Sequence, residues 1–167
     1  MKQINVVCIK FALFNLYFPI FNSALCGLGW DPMDVIKKFI EKDLFAKHLG
    51  VEVLSHGPGT AKAVMAIKDH HRNSAGMVHG GAIFSLADAV FSIASNSHGT
   101  LAVAINVSIS FFKSAAAGTL TATAEEVSFN PKLATYLITV TADAGNKSAL
   151  FQGTVYRKKD NIADIVK

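Results

Sequence analysis

Cysteine is almost missing from this chain: of 167 residues only Cys8 and Cys26 carry a thiol. Two cysteines cannot build a disulfide framework. Both precede Met33, which leaves the rest of the chain cysteine-free, as suits a reducing compartment. Charge is scarce as well: charged residues make up 17% of the chain, and 16 basic against 12 acidic side chains leave a formal charge of +4. No basic run is long enough to form a nucleic-acid stripe. Disorder is excluded in turn, because 51% of the residues are apolar. Repeats, low-complexity tracts and linkers are absent from residue 33 onwards. A chain of this length reads as one domain whose core needs no metal or disulfide staple. Its mean hydropathy of +0.35 nevertheless asks where so much apolar surface is hidden.

Part of that surface is concentrated near the N-terminus. Between Lys10 and Asp31 run twenty uncharged residues, fourteen of them apolar, including four of the twelve phenylalanines. Lys2 and Lys10 in front, with small residues around Ala24 and Cys26, give a signal-peptide reading. The lipoprotein variant is weaker, since Leu25 stands where a small residue is wanted. About twenty residues also suit a bilayer span, although Asn15, Pro19 and Asn22 interrupt it. Lys37, Lys38, Lys42 and Lys47 would then keep the following part inside. A further reading starts translation at Met33 and makes 1–32 upstream sequence. These readings stay open. The chain divides into an apolar extension, 1–32, and a domain, 33–167.

Within that domain Asp34 is positioned to cap a helix with Val35, Ile36, Phe39, Ile40 and Leu44 at helical spacing, ending near Gly50. Strands follow at 51–56 and 60–68 around the turn Gly57-Pro58-Gly59, then a loop at 69–78. A second helix covers 80–97, with Gly99 placed to stop it. Four more strands, 101–113, 119–129, 134–142 and 147–157, are rich in Val, Ile, Thr, Phe and Tyr and are separated by short turns. Alternation puts Ile105, Val107, Ile109 and Phe111 on one face, and Asn106, Ser108 and Ser110 on the other. Short connections imply an antiparallel sheet, so two strands, one long helix and four strands make an α+β domain.

The second helix carries the chemistry. Apolar residues surround it on nearly every side, the pattern of a buried helix. Ser85, Asp88, Ser92, Ser95 and Asn96 nevertheless fall within one stripe about 100° wide. A buried carboxylate without partners costs several kcal/mol, so Asp88 either finds donors or lines a polar cavity. A satisfied structural carboxylate, with the serines merely allowing close packing, is the plainer alternative. The sequence just upstream, Asn73-Ser74-Ala75-Gly76-Met77-Val78-His79-Gly80-Gly81, favours the functional reading. Paired glycines let a ligand approach the backbone, and free amides at a helix start attract developing negative charge. An amide donor and a carboxylate are the minimum equipment for acyl transfer to water.

Asn73-x-x-Gly76-x-x-His79-Gly80-Gly81, running through Ile83-Phe84-Ser85-Leu86-Ala87-Asp88 to Asn96-Ser97-His98-Gly99, resembles the hotdog-fold acyl-CoA thioesterases of the phenylacetate-degradation type. The similarity in element order extends over about 33–157 and leaves 1–32 outside. The resemblance implies a long central helix wrapped by an antiparallel sheet, and a homotetramer of paired dimers with active sites at the dimer interface. It implies no metal or redox cofactor, coenzyme A being part of the substrate. By position, Gly80 matches the glycine whose amide polarises the thioester carbonyl. Asp88 matches the carboxylate supplied by the neighbouring subunit, as general base or as nucleophile. Asn73 and His79 match positions that hold the carbonyl or position water, and Ser92 the place of a supporting hydroxyl. Gly81 and Ser85 are expected to line the substrate. The family's name does not settle the acyl group: aryl-acetyl, benzoyl and medium-chain groups all remain.

Other features of the sequence offer competing readings. His70, His71 and His79 invite a zinc site, but their spacing matches no ligand motif. Arg157-Lys158-Lys159 is either a contact for the phosphates of coenzyme A or a solvated basic tail. Asn106, Ser108 and Ser110 are either the polar side of an acyl pocket or an exposed strand face. Two rival functions are a non-catalytic acyl-CoA-binding hotdog protein, which could dispense with Asp88, and a hotdog dehydratase or hydratase, whose His/Asp pair is not seen here. Consumption of acyl-CoA implies a cytoplasmic protein with no nucleic-acid partner, touching a membrane only if residues 11–30 anchor it.

Overall fold

A carboxylate interrupts the first helical stretch, so two helices stand where one was expected. In the computed structural model, which describes residues 32–167, α1 spans Pro32–Lys42 and α2 spans Leu44–His48. Asp34 lies inside α1. The capping aspartate is instead Asp43, whose Oδ1 accepts the Ala46 N–H at 2.9 Å. Asp at such a position satisfies an amide of the next turn in place of continuing the helix. The three readings of 11–30 concern residues outside those described. Among the described residues, no helix is long and apolar enough to cross a membrane.

The remaining elements are β1 (Val51–Gly57), β2 (Thr60–Ala66), α3 (Gly80–Asn96), β3 (Thr100–Phe111), β4 (Thr119–Phe129), β5 (Leu133–Thr141), β6 (Lys147–Asn161) and α4 (Ile162–Ile165). Six strands with a long helix between the second and third give the expected α+β layout. The strands form one sheet in the order β1-β2-β4-β5-β6-β3, and every neighbouring pair is antiparallel. β3 follows α3 and crosses to the far edge, beside β6. β6 runs four residues beyond the expected end at Arg157 because its last part still pairs with the start of β3, Asn161 opposite Thr100.

α3 lies across one face of this sheet, packed against all of its strands. The period of two along each strand explains which residues meet it. Ala61, Ala63 and Met65 of β2, Leu120, Ala122 and Ala124 of β4, and Ala134, Tyr136, Ile138 and Val140 of β5 are buried. Alanines are five of these ten and let the sheet come close to the helix. Three rings fill the wider part of the gap: Phe91 of α3 lies 5.7 Å from Tyr136 and 5.5 Å from Phe151, centroid to centroid. Inclined ring pairs of this kind add to the burial of their area. The helix is apolar all round for the same reason: Leu86, Ala87, Val90 and Ala94 are fully buried.

On β3 the expected alternation breaks. Its register against β6 shifts between Ala104 and Asn106, so Ile105 is an extra residue in the ladder and leaves the face of its neighbours. Beyond that bulge Val107, Ile109 and Phe111 stand opposite Gly153, Phe151 and Ala149, on the side of the helix. Asn106, Ser108 and Ser110 stand opposite Thr154, Gln152 and Leu150, on the outer side, and all three are exposed. The exposed-face reading of these polar residues is therefore the one that the structure favours.

Gly153 is required by this packing. A Cβ there would stand 2.6 Å from the Phe91 ring and 2.9 Å from Phe151, where no real contact is so short. Gly153→Ala is expected to destabilise the fold by about 1–3 kcal/mol, the usual cost of overpacking, measured by urea unfolding followed by circular dichroism. An unchanged midpoint would show that the rings have room to shift.

Candidate active site

The first turn of α3 is prepared by the loop in front of it. Asn73 knits that loop: its Oδ1 accepts the Ala75 and Met77 N–H groups at 3.0 and 3.2 Å. Its own N–H donates to the Met77 carbonyl at 2.7 Å. Gly76 supplies the left-handed turn, φ +75°, a conformation natural to glycine. Two further bonds fix where the helix begins, His79 N–H to the His71 carbonyl at 2.7 Å and Val78 N–H to the Ala115 carbonyl at 2.8 Å. His71 is itself buried, and its Nδ1 accepts the Lys68 N–H at 3.1 Å. Burial first, and then the neighbouring charge of His70, push its imidazole below the ordinary pKa.

His79 is the N-cap. Its Nδ1 accepts the Gly81 N–H at 2.8 Å, which fixes the tautomer with the proton on Nε2 if the ring is neutral. Its carbonyl accepts the N–H groups of Ala82 and Ile83 at 2.9 and 3.3 Å. Of the first-turn amides this leaves Gly80, whose N–H meets no acceptor among the described residues. An unsatisfied amide at the positive end of a 17-residue helix is a donor aimed at an anionic or carbonyl oxygen.

Asp88 lies two turns further along. It is half-buried and, among the described residues, receives no hydrogen bond. Burial raises its carboxyl pKa above the ordinary value, and the Asp43 carboxylate adds to the shift by repulsion. Ser85 and Ser92 are half-buried on the same stripe. Ser85 Oγ donates back to the Gly81 carbonyl at 2.8 Å. Ser92 lines an apolar groove of about 550 Å³ floored by Ile40, Val51, Val53, Ala89 and Ile93 and rimmed by Lys37 and Lys42.

The stripe then changes character. Ser95 and Asn96 are buried. Asn96 clamps the start of β3, accepting the Ala102 N–H on Oδ1 at 2.9 Å and donating from Nδ2 to the Ser92 carbonyl at 2.9 Å. Five polar positions that look alike in sequence thus divide into a satisfied structural pair and an open group around Asp88.

Asn73, His79, Gly80 and Gly81 are brought together at the helix start. Asp88 is not among them: eight residues of α-helix separate it from Gly80 by about 12 Å along the axis. The other candidates fall away from this centre. His70 and His71 meet edge to face, 4.1 Å apart, and no group of three metal-ligating side chains exists among the described residues. Arg157 is folded inward, donating to the Asn130 carbonyl at 3.0 Å and to Thr100 Oγ1 at 3.1 Å, with its guanidinium 4.0 Å from the Phe129 ring. Lys158 and Lys159 are exposed.

Sequence patterning missed Phe111. Its ring atoms lie 3.4 to 3.8 Å from the position that a Gly80 Cβ would take, across thirty-one residues of chain, and no local signal links the two.

Comparison with known proteins decides the family. The chain is 45% identical over 128 residues to a putative esterase of Archaeoglobus fulgidus, 75% of this chain and 83% of that protein. It is 37% identical over 118 residues to the acyl-coenzyme A thioesterase PaaI of Escherichia coli, 70% of this chain and 84% of that protein. Residues 75–149 match the family model described as the thioesterase superfamily. The chain belongs to the thioesterase superfamily. The fold agrees. The structure of the E. coli PaaI protein from the phenylacetic acid degradation operon superposes with a TM-score of 0.75 at 34% identity, covering 78% of this chain and 95% of that one. A mutant structure of the phenylacetic acid degradation protein PaaI from Thermus thermophilus gives 0.67 at 38% identity, over 70% and 100% of the two chains. This thioesterase therefore has the hotdog fold, with α3 as the helix inside the sheet, as its sequence resemblance implied.

The two glycines of this thioesterase are there for different reasons. Gly80 has no left-handed φ, and a Cβ would meet only the Phe111 ring, at ordinary contact distance. The fold does not need a glycine at this position. A helical Cβ tilts toward the N-terminus, however, and would crowd the space in front of the free amide. Gly80→Ala is expected to leave the melting temperature unchanged or slightly raised while lowering kcat on the order of 10²-fold, the cost of ångström-scale misplacement. At Gly81 a Cβ would stand 3.0 Å from His79 Nδ1 and displace the cap. Gly81→Ala is expected to cost about 1 kcal/mol of stability. Calorimetry beside a turnover assay separates the two, and a stability loss in Gly80→Ala would contradict the assignment.

Proposed function

We propose that this thioesterase hydrolyses acyl-CoA to a free acid and coenzyme A, and that the unsatisfied Gly80 N–H is the feature on which the reaction turns. The thioester oxygen accepts this amide, which stabilises the negative charge that builds as the carbonyl carbon becomes tetrahedral. Asp88 acts as general base for water or attacks the carbonyl itself. As base, Asp88 takes a proton from the water that adds to the carbonyl; as nucleophile, it forms a mixed anhydride that water then cleaves. In either route the C–S bond breaks, the thiolate takes a proton, and one water is consumed to give the free acid. His79 Nε2–H and the Asn73 side-chain amide stand ready to hold the carbonyl or the water, Ser92 supports Asp88 from the next turn, and Gly81 and Ser85 line the substrate. No metal or redox cofactor enters this scheme.

One chain is not enough for it. A reacting carbonyl needs its donor and its base each at about 3 Å, whereas Gly80 and Asp88 of the same helix stand about 12 Å apart. A second copy removes the difficulty. Among the described residues β3, 12 residues long, is an open edge, and Val103, Ile105 and Val107 on it are exposed. Pairing of two such edges sets two α3 helices side by side, antiparallel, so that Gly80 of one faces Asp88 of the other. Dimers of this kind pairing again give the tetramer. An enzyme that spends intracellular acyl-CoA should face the cytoplasm, which is the location expected here.

A panel of acyl-CoA thioesters, read by release of free thiol, tests the activity. Failure to hydrolyse any of them while binding them tightly would point to a non-catalytic acyl-CoA-binding protein. Asp88→Asn is expected to lower kcat by about 10²–10⁴-fold, the range for loss of a general base, with the assembly intact by size-exclusion chromatography.

The raised Asp88 pKa fixes two signs. Activity requires the ionised form, so kcat/KM should fall with acidification through a pKa above the ordinary aspartate value. Stability runs the other way, because the native state disfavours the charge. The contribution of Asp88 to stability is present below its unfolded pKa and is lost as pH rises through its folded one. Asp88→Asn should therefore melt higher than the wild type at neutral pH, with the difference shrinking toward acid. Equal melting temperatures at neutral pH would show that the carboxylate is not desolvated.

A further inference from the structure

The free Gly80 amide has an aromatic neighbour to which the reaction gives no part. Phe111, at the end of β3, is 52% exposed, so its ring is not a core filler. Three of its ring carbons nonetheless lie 3.4, 3.6 and 3.8 Å from the place of a Gly80 Cβ. The ring is held there by backbone on both sides. Phe111 pairs with Ala149 of β6, Phe112 N–H donates to the Ser148 carbonyl at 2.9 Å, and the following loop is tied to the helix start by the bond from Val78 N–H to the Ala115 carbonyl at 2.8 Å.

We propose that Phe111 is a wall of the acyl pocket and a specificity-determining residue, selecting uncharged, apolar acyl groups of some bulk over acetyl and over acyl groups with a terminal carboxylate. This rests on the reading that an acyl-CoA carbonyl docks on the Gly80 amide. An oxygen about 2.9 Å from that nitrogen brings its carbonyl substituent within van der Waals reach of the ring. A phenyl ring offers no hydrogen bond to the amides of the coenzyme arm. It gains from burying hydrocarbon and leaves a carboxylate at its surface desolvated and unpaired. The contact therefore falls to the acyl side. Glycine at 80 contributes to the same end, since any larger residue would fill the space between ring and amide.

The test is a comparison of kcat/KM for acetyl-, hexanoyl-, phenylacetyl- and succinyl-CoA in wild type, Phe111→Ala and Phe111→Trp. Phe111→Leu, which keeps an apolar residue on the strand, is added in case the alanine variant fails to assemble. The wild type should prefer hexanoyl and phenylacetyl groups. Phe111→Ala should reduce the hexanoyl-to-acetyl ratio about tenfold, within the range for a lost pocket contact, whatever its effect on the acetyl value itself. Phe111→Trp should penalise phenylacetyl more than acetyl. Ratios unmoved in every variant overturn the proposal. The same acyl groups on N-acetylcysteamine locate the contact: an altered ratio that persists on this short carrier supports the acyl wall, and one confined to the CoA esters assigns the ring to the coenzyme arm and overturns it. Absence of thiol release by the wild type from every ester overturns the acyl-CoA reading and this proposal with it.

Discussion

A helix begins with amides that nothing inside it can satisfy, and how those of α3 are distributed governs what the molecule can do. His79 takes the Gly81 N–H on its ring and the Ala82 and Ile83 N–H groups on its carbonyl. The Gly80 N–H meets no acceptor among the described residues. The arrangement holds because the preceding loop is overdetermined, with Asn73 closing it on itself, His71 anchoring one flank and Ala115 the other. Movement of any one of them shifts the start of the helix and the direction of that donor.

The same helix has to serve two incompatible environments. Its apolar girth lets a sheet of small residues close around it, and near its C-terminus Asn96 is consumed in holding β3. Asp88 is the exception, half-buried and with no donor among the described residues, its charge opposed by burial and by Asp43. A carboxylate in that setting is a poor contributor to stability. It is well suited to reacting, since its pKa is moved toward the pH at which a base is useful.

Much of this was legible in the sequence because it is local. The period of two in the strands, the Gly-Pro-Gly turn after β1, the His-Gly-Gly helix start and the polar stripe on α3 are short-range patterns, and the structure contains them as such. What stayed hidden is long-range or depends on a single hydrogen bond. Asp43 stops one helix and caps the next, which helical spacing through Leu44 cannot register. The bulge at Ile105 resets the alternation of β3 without a glycine or proline to mark it. Asn96 and Asp88 look equivalent along the stripe, and only their partners tell them apart. Phe111 reads as one more strand residue until β3 crosses the sheet and lays its ring over Gly80.

That crossing also leaves β3 at the rim with no charged residue and no proline between Thr100 and Phe111. Native sheets ordinarily guard such rims with lysine, proline or a covering segment. Among the described residues nothing pairs with the outer side of β3, which makes it a template on which an extended peptide can add a strand. Such wrong additions grow with concentration, so that the cellular abundance of this chain bears directly on the fraction that stays usable.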